Sequence, residues 1–259
     1  MRVKLYVIKG SHACRSAMLM LDYKGIPFEL VTLPSGMHSM GLALAGFAGT
    51  GDAARKVDGT KHRMIALGDH LGTVPALRYG EERVMTNHDI ARLLEREQPE
   101  PPLFPADPER RERVEEAEAW GDEILQMTAR RLALVAGGSG QLIDGGSEGR
   151  LGPLLFANPH VRRTAVKMFS RVFAASPRDE PALLAESREL LERVDSYIAE
   201  GVLGGDELNV ADFTIAPSVA LLAYHRELAA QIEEGPAGQM LDRVFAVSES
   251  RQASPQPTA

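Results

Sequence analysis

The chain has a single cysteine, Cys14, in 259 residues. A lone thiol excludes an intramolecular disulfide, and no Cys/His spacing suits zinc, so the pattern predicts a protein of a reducing compartment that holds no metal. Basic residues are in the minority, with 29 Lys and Arg against 36 Asp and Glu for a net charge of −7. The pairs Arg110-Arg111, Arg130-Arg131 and Arg162-Arg163 sit among acidic residues or on helical faces. They read as solvated helix surface, which argues against nucleic acid as a partner. No apolar run approaches the roughly 20 residues of a membrane span. The apolar start is broken by Lys9, His12 and Arg15, so no secretory h-region is expected. Phosphate-loop patterns are missing as well. Residues 137–152 hold seven glycines, but neither GxGxxG after a strand nor GxxxxGK[ST] occurs, and the stretch reads as a flexible loop between helices. The expectation is a soluble, cytoplasmic protein without a membrane partner.

What is present is organised in two parts. Positions 3–8 read as a strand, and Ala13 to Tyr23 as a helix with Cys14, Ala17, Met18 and Leu21 on one face. Gly25 stops that helix before a second strand over 28–33. Two short runs, Ala76 to Tyr79 and Glu82 to Met85, flank Gly80-Glu81 and predict a hairpin. Asn87, a good N-cap residue, then precedes a short helix carrying Ile90, Leu93 and Leu94. Five prolines between 98 and 108 exclude helix and sheet interior there and mark a linker. Beyond it, apolar stripes at helical period run through Val114, Ala117, Ile124, Thr128, Leu132 and Val135. They recur through Val161, Ala165, Met168 and Val172, and through Leu183, Ser187, Leu190, Val194 and Ile198. The predicted division is an α/β domain over 1–97, a Pro-rich linker over 98–108, an all-α helical bundle over 109–247 and a disordered tail over 248–259. The segment 34–72 is a long connection whose residues 40–47 could form one extra helix.

The strand at 3–8 turns directly into a helix through Gly10-Ser11-His12-Ala13-Cys14-Arg15. Such a turn aims unpaired backbone N–H groups and the positive helix end at whatever lies above it, which suits a thiolate or carboxylate. Ser11 and Cys14 are the side chains there that can meet a sulfur. Ser11 also reads simply as the N-cap of the helix, and the two roles are compatible. Cys14 reads as a small core residue, or as a thiol activated in the first turn. His12 is titratable, but its place on a turn predicts a solvent-facing side chain. Trp120 and Tyr224 suit either the lining of a hydrophobic pocket or the core, and read as core.

This opening, Thr73-Val74-Pro75-Ala76-Leu77, the hairpin and the capped helix together resemble the glutathione transferase superfamily, in the serine- and cysteine-type branch with Ser-x-x-Ser/Cys-Arg. The resemblance implies a thioredoxin-like N-terminal domain with a mixed four-stranded sheet, followed by an all-helical domain. It implies glutathione or a related thiol as co-substrate, a hydrophobic electrophile as second substrate, detoxification as the setting and a homodimer. Ser11 takes the place of the active hydroxyl, with Cys14 as the alternative. Val74 before a cis Pro75 would pair with the cysteinyl backbone of glutathione, and Thr86-Asn87 stand where the family carries Glu-Ser or Gln-Ser to hold the γ-glutamyl group. Thr86 is a departure, because it cannot neutralise an ammonium group. Gly204-Gly205-Asp206 followed by Asn209 to Asp212 resembles the N-capping box of the family's helical domain. Two other functions stay open: a non-catalytic binding or interaction protein on this scaffold, and a thiol oxidoreductase using Cys14. With 23 Arg against 6 Lys, the composition fits a GC-rich genome, where thiols other than glutathione occur.

Overall fold

Val3, Leu5 and Val7 face one side of strand β1 (Val3–Val7) and Tyr6 the other. This period of two gives the sheet a core on each face. The computed structural model describes residues 2–34, 37–47, 72–138 and 175–252, with Lys167, Ser170 and Phe173. In it β1 lies between β2 (Glu29–Thr32) and β3 (Ala76–Tyr79), and β4 (Glu82–Met85) lies outside β3. The β1–β2 pair is parallel, joined by helix α1 (His12–Tyr23), and the other two pairs are antiparallel. The sheet is therefore mixed and four-stranded, as expected of a thioredoxin-like domain. The hairpin falls on the residues the sequence indicated, because Gly80, at φ +63°, takes a turn conformation that a side chain disfavours. Helix α2 (His38–Leu44) buries Leu42 against the Tyr6 face, and the Phe47 ring meets Tyr6 edge-on at 5.2 Å. Residues 48–71 of the long connection lie outside the described part.

After helix α3 (Asn87–Glu97) the Pro-rich segment leads to α4 (Pro108–Trp120), capped by Asp107 Oδ1 accepting from Arg110 N at 2.8 Å. Pro108, the last of the five prolines, opens this helix, since proline suits the first helical position. A π-helical turn, Gly121–Leu125, follows and leads into α5 (Gln126–Gly138). Its extra residue corrects the apolar stripe: Leu125 is buried, whereas Ile124 is 45% exposed. The remaining helices are α6 (Glu180–Ala199), α7 (Val210–Leu222), α8 (Arg226–Glu234) and α9 (Pro236–Gln252). Gly121 lets α7 approach, since a Cβ there would stand 2.6 Å from Ile215 Cγ1. The stripe Val161 to Val172 and the glycine-rich stretch beyond 138 lie outside the described residues.

Helix α7 is buried on every side, and its N-terminus is secured by a capping box. Asp212 accepts from Gly204 N at 2.7 Å and Asn209 N at 2.9 Å, while Asn209 Oδ1 accepts from Ala211 N at 2.9 Å. Helix α9 runs past position 248, where the sequence suggested a tail. Ser248 is buried and donates to Asp22 Oδ2 at 2.9 Å, so tertiary contact with α1 carries the helix onward. Among the described residues no helix is long and apolar enough to cross a membrane.

Candidate active site

Strand register brings the motifs together. Tyr6 is level with Ala76, and Ala76 with Met85, so the chain leaving β1 toward Ser11, the Val74-Pro75 bond entering β3 and the Thr86-Asn87 step leaving β4 share one end of the sheet. Thr86 N donates to Pro75 O at 3.1 Å and ties two of them directly. The Val74-Pro75 bond is cis, as is Glu100-Pro101 in the linker, which the sequence reading did not single out. Among the described residues Val74 uses neither its backbone N–H nor its C=O, which leaves both for an extended ligand to pair with.

Ser11 caps α1, its Oγ accepting from Cys14 N at 3.3 Å. Capping uses an acceptor lone pair, so the O–H acts as a donor, and Cys14 Sγ is one sulfur within its reach. No acidic residue stands in the first turn of α1, so its positive end is not neutralised by its own helix. Cys14 is 2% exposed, and burial pushes its thiol up to about 11 despite the Ser11 hydrogen bond. At neutral pH it is a protonated core residue.

His12 corrects the sequence reading: it is buried rather than solvent-facing, because α5 packs over the turn and Gln126 offers its backbone to the ring. Burial first, then the Arg130 cation, lower its pKa to about 3, against the Gln126 hydrogen bond. Its Nε2 has no hydrogen-bond partner among the described residues. The unfolded chain takes up this proton near the ordinary value of 6.5 and the folded chain does not, so His12 destabilises the fold as pH falls from 6.5 toward 3. Asp212 acts in the opposite sense. Burial raises it from 3.8 to about 6, so its contribution is full below 3.8 and is lost as pH rises through 6. Between about pH 4 and 6 the two slopes oppose each other. In thermal melts, His12→Gln should become more stable as pH falls across that window. Asp212→Asn should lose stability more steeply than wild type, and parallel pH profiles for all three proteins would refute the assignment.

At the third motif the cap lies one residue earlier than the sequence suggested. Thr86, at φ +75°, accepts from Asp89 N at 3.2 Å, and Asn87 is the first helical residue. Both residue types cap well, and the choice follows from the exit direction of β4, which puts the Thr86 hydroxyl over the turn. A threonine at positive φ is strained, and such strain concentrates at ligand sites. Asn87 is 3% exposed, and its Oδ1 has no partner among the described residues.

The sequence reading missed two buried charges. Lys24 is 1% exposed, and its Nζ donates to Glu95 Oε2, Gln98 O and Pro99 O at 2.5, 2.7 and 3.1 Å. Glu118 on α4 is 2% exposed and accepts from Arg92 Nη1 at 2.5 Å. Burial opposes its ionisation most strongly, yet His88 and Arg92 together hold its carboxyl below the usual range. Neither residue lies in a local motif that would have marked it. Among the described residues no group of His, Cys, Asp and Glu could hold a metal ion.

Residues 5–102 match the family model for the glutathione S-transferase N-terminal domain. No curated protein matches the sequence at a significant level. Among solved structures, a GST-like protein from Pseudomonas syringae is 20% identical with a TM-score of 0.56, covering 100% of this chain and 76% of its own. Glutathione transferase Omega 3C from Trametes versicolor is 17% identical with a TM-score of 0.58, covering 99% and 91%. A beta-etherase from Sphingobium sp. strain SYK-6 is 18% identical with a TM-score of 0.59, covering 98% and 100%. At these identities the likeness concerns the fold.

Proposed function

We propose, from the premise that this chain belongs to the glutathione transferase superfamily by its N-terminal domain and its fold, that it joins glutathione to a small hydrophobic electrophile. The observation that carries the reading is the convergence of a capping serine with an O–H donor, a Val74 backbone with N–H and C=O unused, and a helix N-terminus at one end of the sheet. In this reading the glutathione backbone pairs with Val74, its γ-glutamyl carboxylate meets the N-terminus of α3, and its sulfur lies over the N-terminus of α1. The Ser11 O–H donates to the thiolate and lowers the thiol pKa, so the S–H proton passes to water. The sulfur lone pair then forms a C–S bond while the leaving group departs with its electron pair. The electrophile binds between the α/β domain and the helical domain.

The protein in this reading is a cytoplasmic homodimer, with the α/β domain over residues 1–97 and the helical domain following the linker. An oxidoreductase role for Cys14 is disfavoured by its buried, protonated thiol. Thermal-shift titration with glutathione tests the proposal, because a ligand of the folded state raises the melting temperature by mass action. At about 100 times Kd the gain is roughly 2.7 kcal/mol, or about 5–10 °C for a chain of this size. No shift with glutathione but a shift with another cellular thiol would reassign the co-substrate, and no shift with any thiol would favour a non-catalytic role.

A further inference from the structure

We propose that Glu118, reaching from α4 to the first turn of α3, supplies the carboxylate that receives the thiol ligand's ammonium group, in place of the acid absent at Thr86. The inference rests on the glutathione reading and extends it to a residue of the helical domain.

The argument is an accounting of donors and acceptors. In the first turn of α3, Asp89 N is satisfied by Thr86 Oγ1 and Ile90 N by Thr86 O. Asn87 N and His88 N have no acceptor among the described residues, and two adjacent free N–H groups at a helix N-terminus bind a carboxylate. On the same turn the His88 ring nitrogen Nδ1 stands 3.6 Å from Glu118 Oε1. Glu118 is nine-tenths buried or more, yet its Oε2 has no partner among the described residues. Arg92 does not satisfy it: one guanidinium nitrogen bonds Oε1 and His88 O, and the plane rests over Phe104 at 4.7 Å. Asn87 Oδ1 is a second buried acceptor without a donor.

Free N–H groups beside orphan acceptors describe the complement of an α-amino-acid head, in which carboxylate and ammonium share one carbon. An unmatched buried carboxylate oxygen is costly, and an ammonium with three N–H donors relieves it. His88 and Arg92, the two groups that contact the carboxylate, are partly exposed, at 33% and 31%, and an ammonium reaches Oε2 by displacing these side chains. The ligand class that follows is a thiol with a free α-amino-acid end, as opposed to thiols built on sugars or nucleotides.

Calorimetry on the full chain with glutathione and its deaminated analogue, in which hydrogen replaces the ammonium, tests the assignment. Wild type should prefer glutathione by about tenfold or more, the range for a hydrogen bond to a charged group. Glu118→Gln should reduce that preference to about threefold or less, and adding Thr86→Glu to Glu118→Gln should restore it, while Thr86→Glu alone adds about twofold at most. A preference unchanged in Glu118→Gln overturns the proposal and leaves the glutathione reading intact. If Glu118→Gln fails to fold, wild type and Thr86→Glu still decide: no preference in wild type, or strong tightening by Thr86→Glu alone, overturns it. Wild type that binds neither ligand overturns both readings.

Discussion

Ser11→Ala is expected to lower turnover with glutathione by about 10- to 150-fold, while Cys14→Ala stays within about twofold of wild type. The first figure follows from losing a hydrogen bond to a charged acceptor, about 1.5–3 kcal/mol, at roughly 1.4 kcal/mol per decade of rate. Because Ser11 also caps α1, the substitution costs about 1 kcal/mol of stability, so turnover should be compared at a temperature where both variants are folded. The pH dependence separates the two roles. If the hydroxyl stabilises a thiolate, the rise of kcat/KM with pH moves to higher pH in Ser11→Ala. A lost cap alone would leave that profile in place. Collapse of turnover in Cys14→Ala with survival in Ser11→Ala would reverse the assignment, although a thiol held at about 11 makes a poor nucleophile at neutral pH.

The second large effect is on stability. Lys24→Met should cost about 3 kcal/mol, the lower end of the range for breaking a buried ion pair, because Glu95 is 23% exposed and keeps the Leu103 N–H at 2.9 Å. For a chain of this length that is roughly 6–12 °C in melting temperature. The loss extends beyond one salt bridge, since two linker carbonyls, Gln98 O and Pro99 O, lose their donor at the same time. Lys24→Met combined with Glu95→Gln should cost less than the sum of the single changes, as expected for groups in contact. A melting temperature within about 2 °C of wild type for Lys24→Met would show that these bonds contribute nothing net.

Features set by neighbouring residues were legible in the sequence. The hairpin over Ala76–Tyr79 and Glu82–Met85, the stop at Gly25 and the capping box at Asn209 each depend on local turn or cap chemistry. Ser11, Val74, Pro75 and the 86–87 step were legible as motifs, and the strand register brings them to one end of the sheet. Features set by distant partners were not. Lys24 finds Glu95 71 residues away, Glu118 finds Arg92 26 residues away, and His12 is buried by a helix that begins at Gln126. The shift from Ile124 to Leu125 on the buried face was hidden for another reason, because a π turn changes the period within a stripe that otherwise reads as continuous helix.

The open main chain at Val74 and at the start of α3 has a consequence for inheritance. Peptide groups are the same whichever side chain a codon specifies, so a pocket that grips its ligand by N–H and C=O loses little when most side chains around it are replaced. In the proposed reading, substitution is constrained where the backbone depends on it, at Pro75 and at Thr86 with its positive φ, and where a side chain meets the ligand, at Ser11 and Glu118. Chains can then share this fold at a fifth of shared residues or fewer, as in the 17–20% identities to the solved structures, because backbone geometry survives the replacement of side chains.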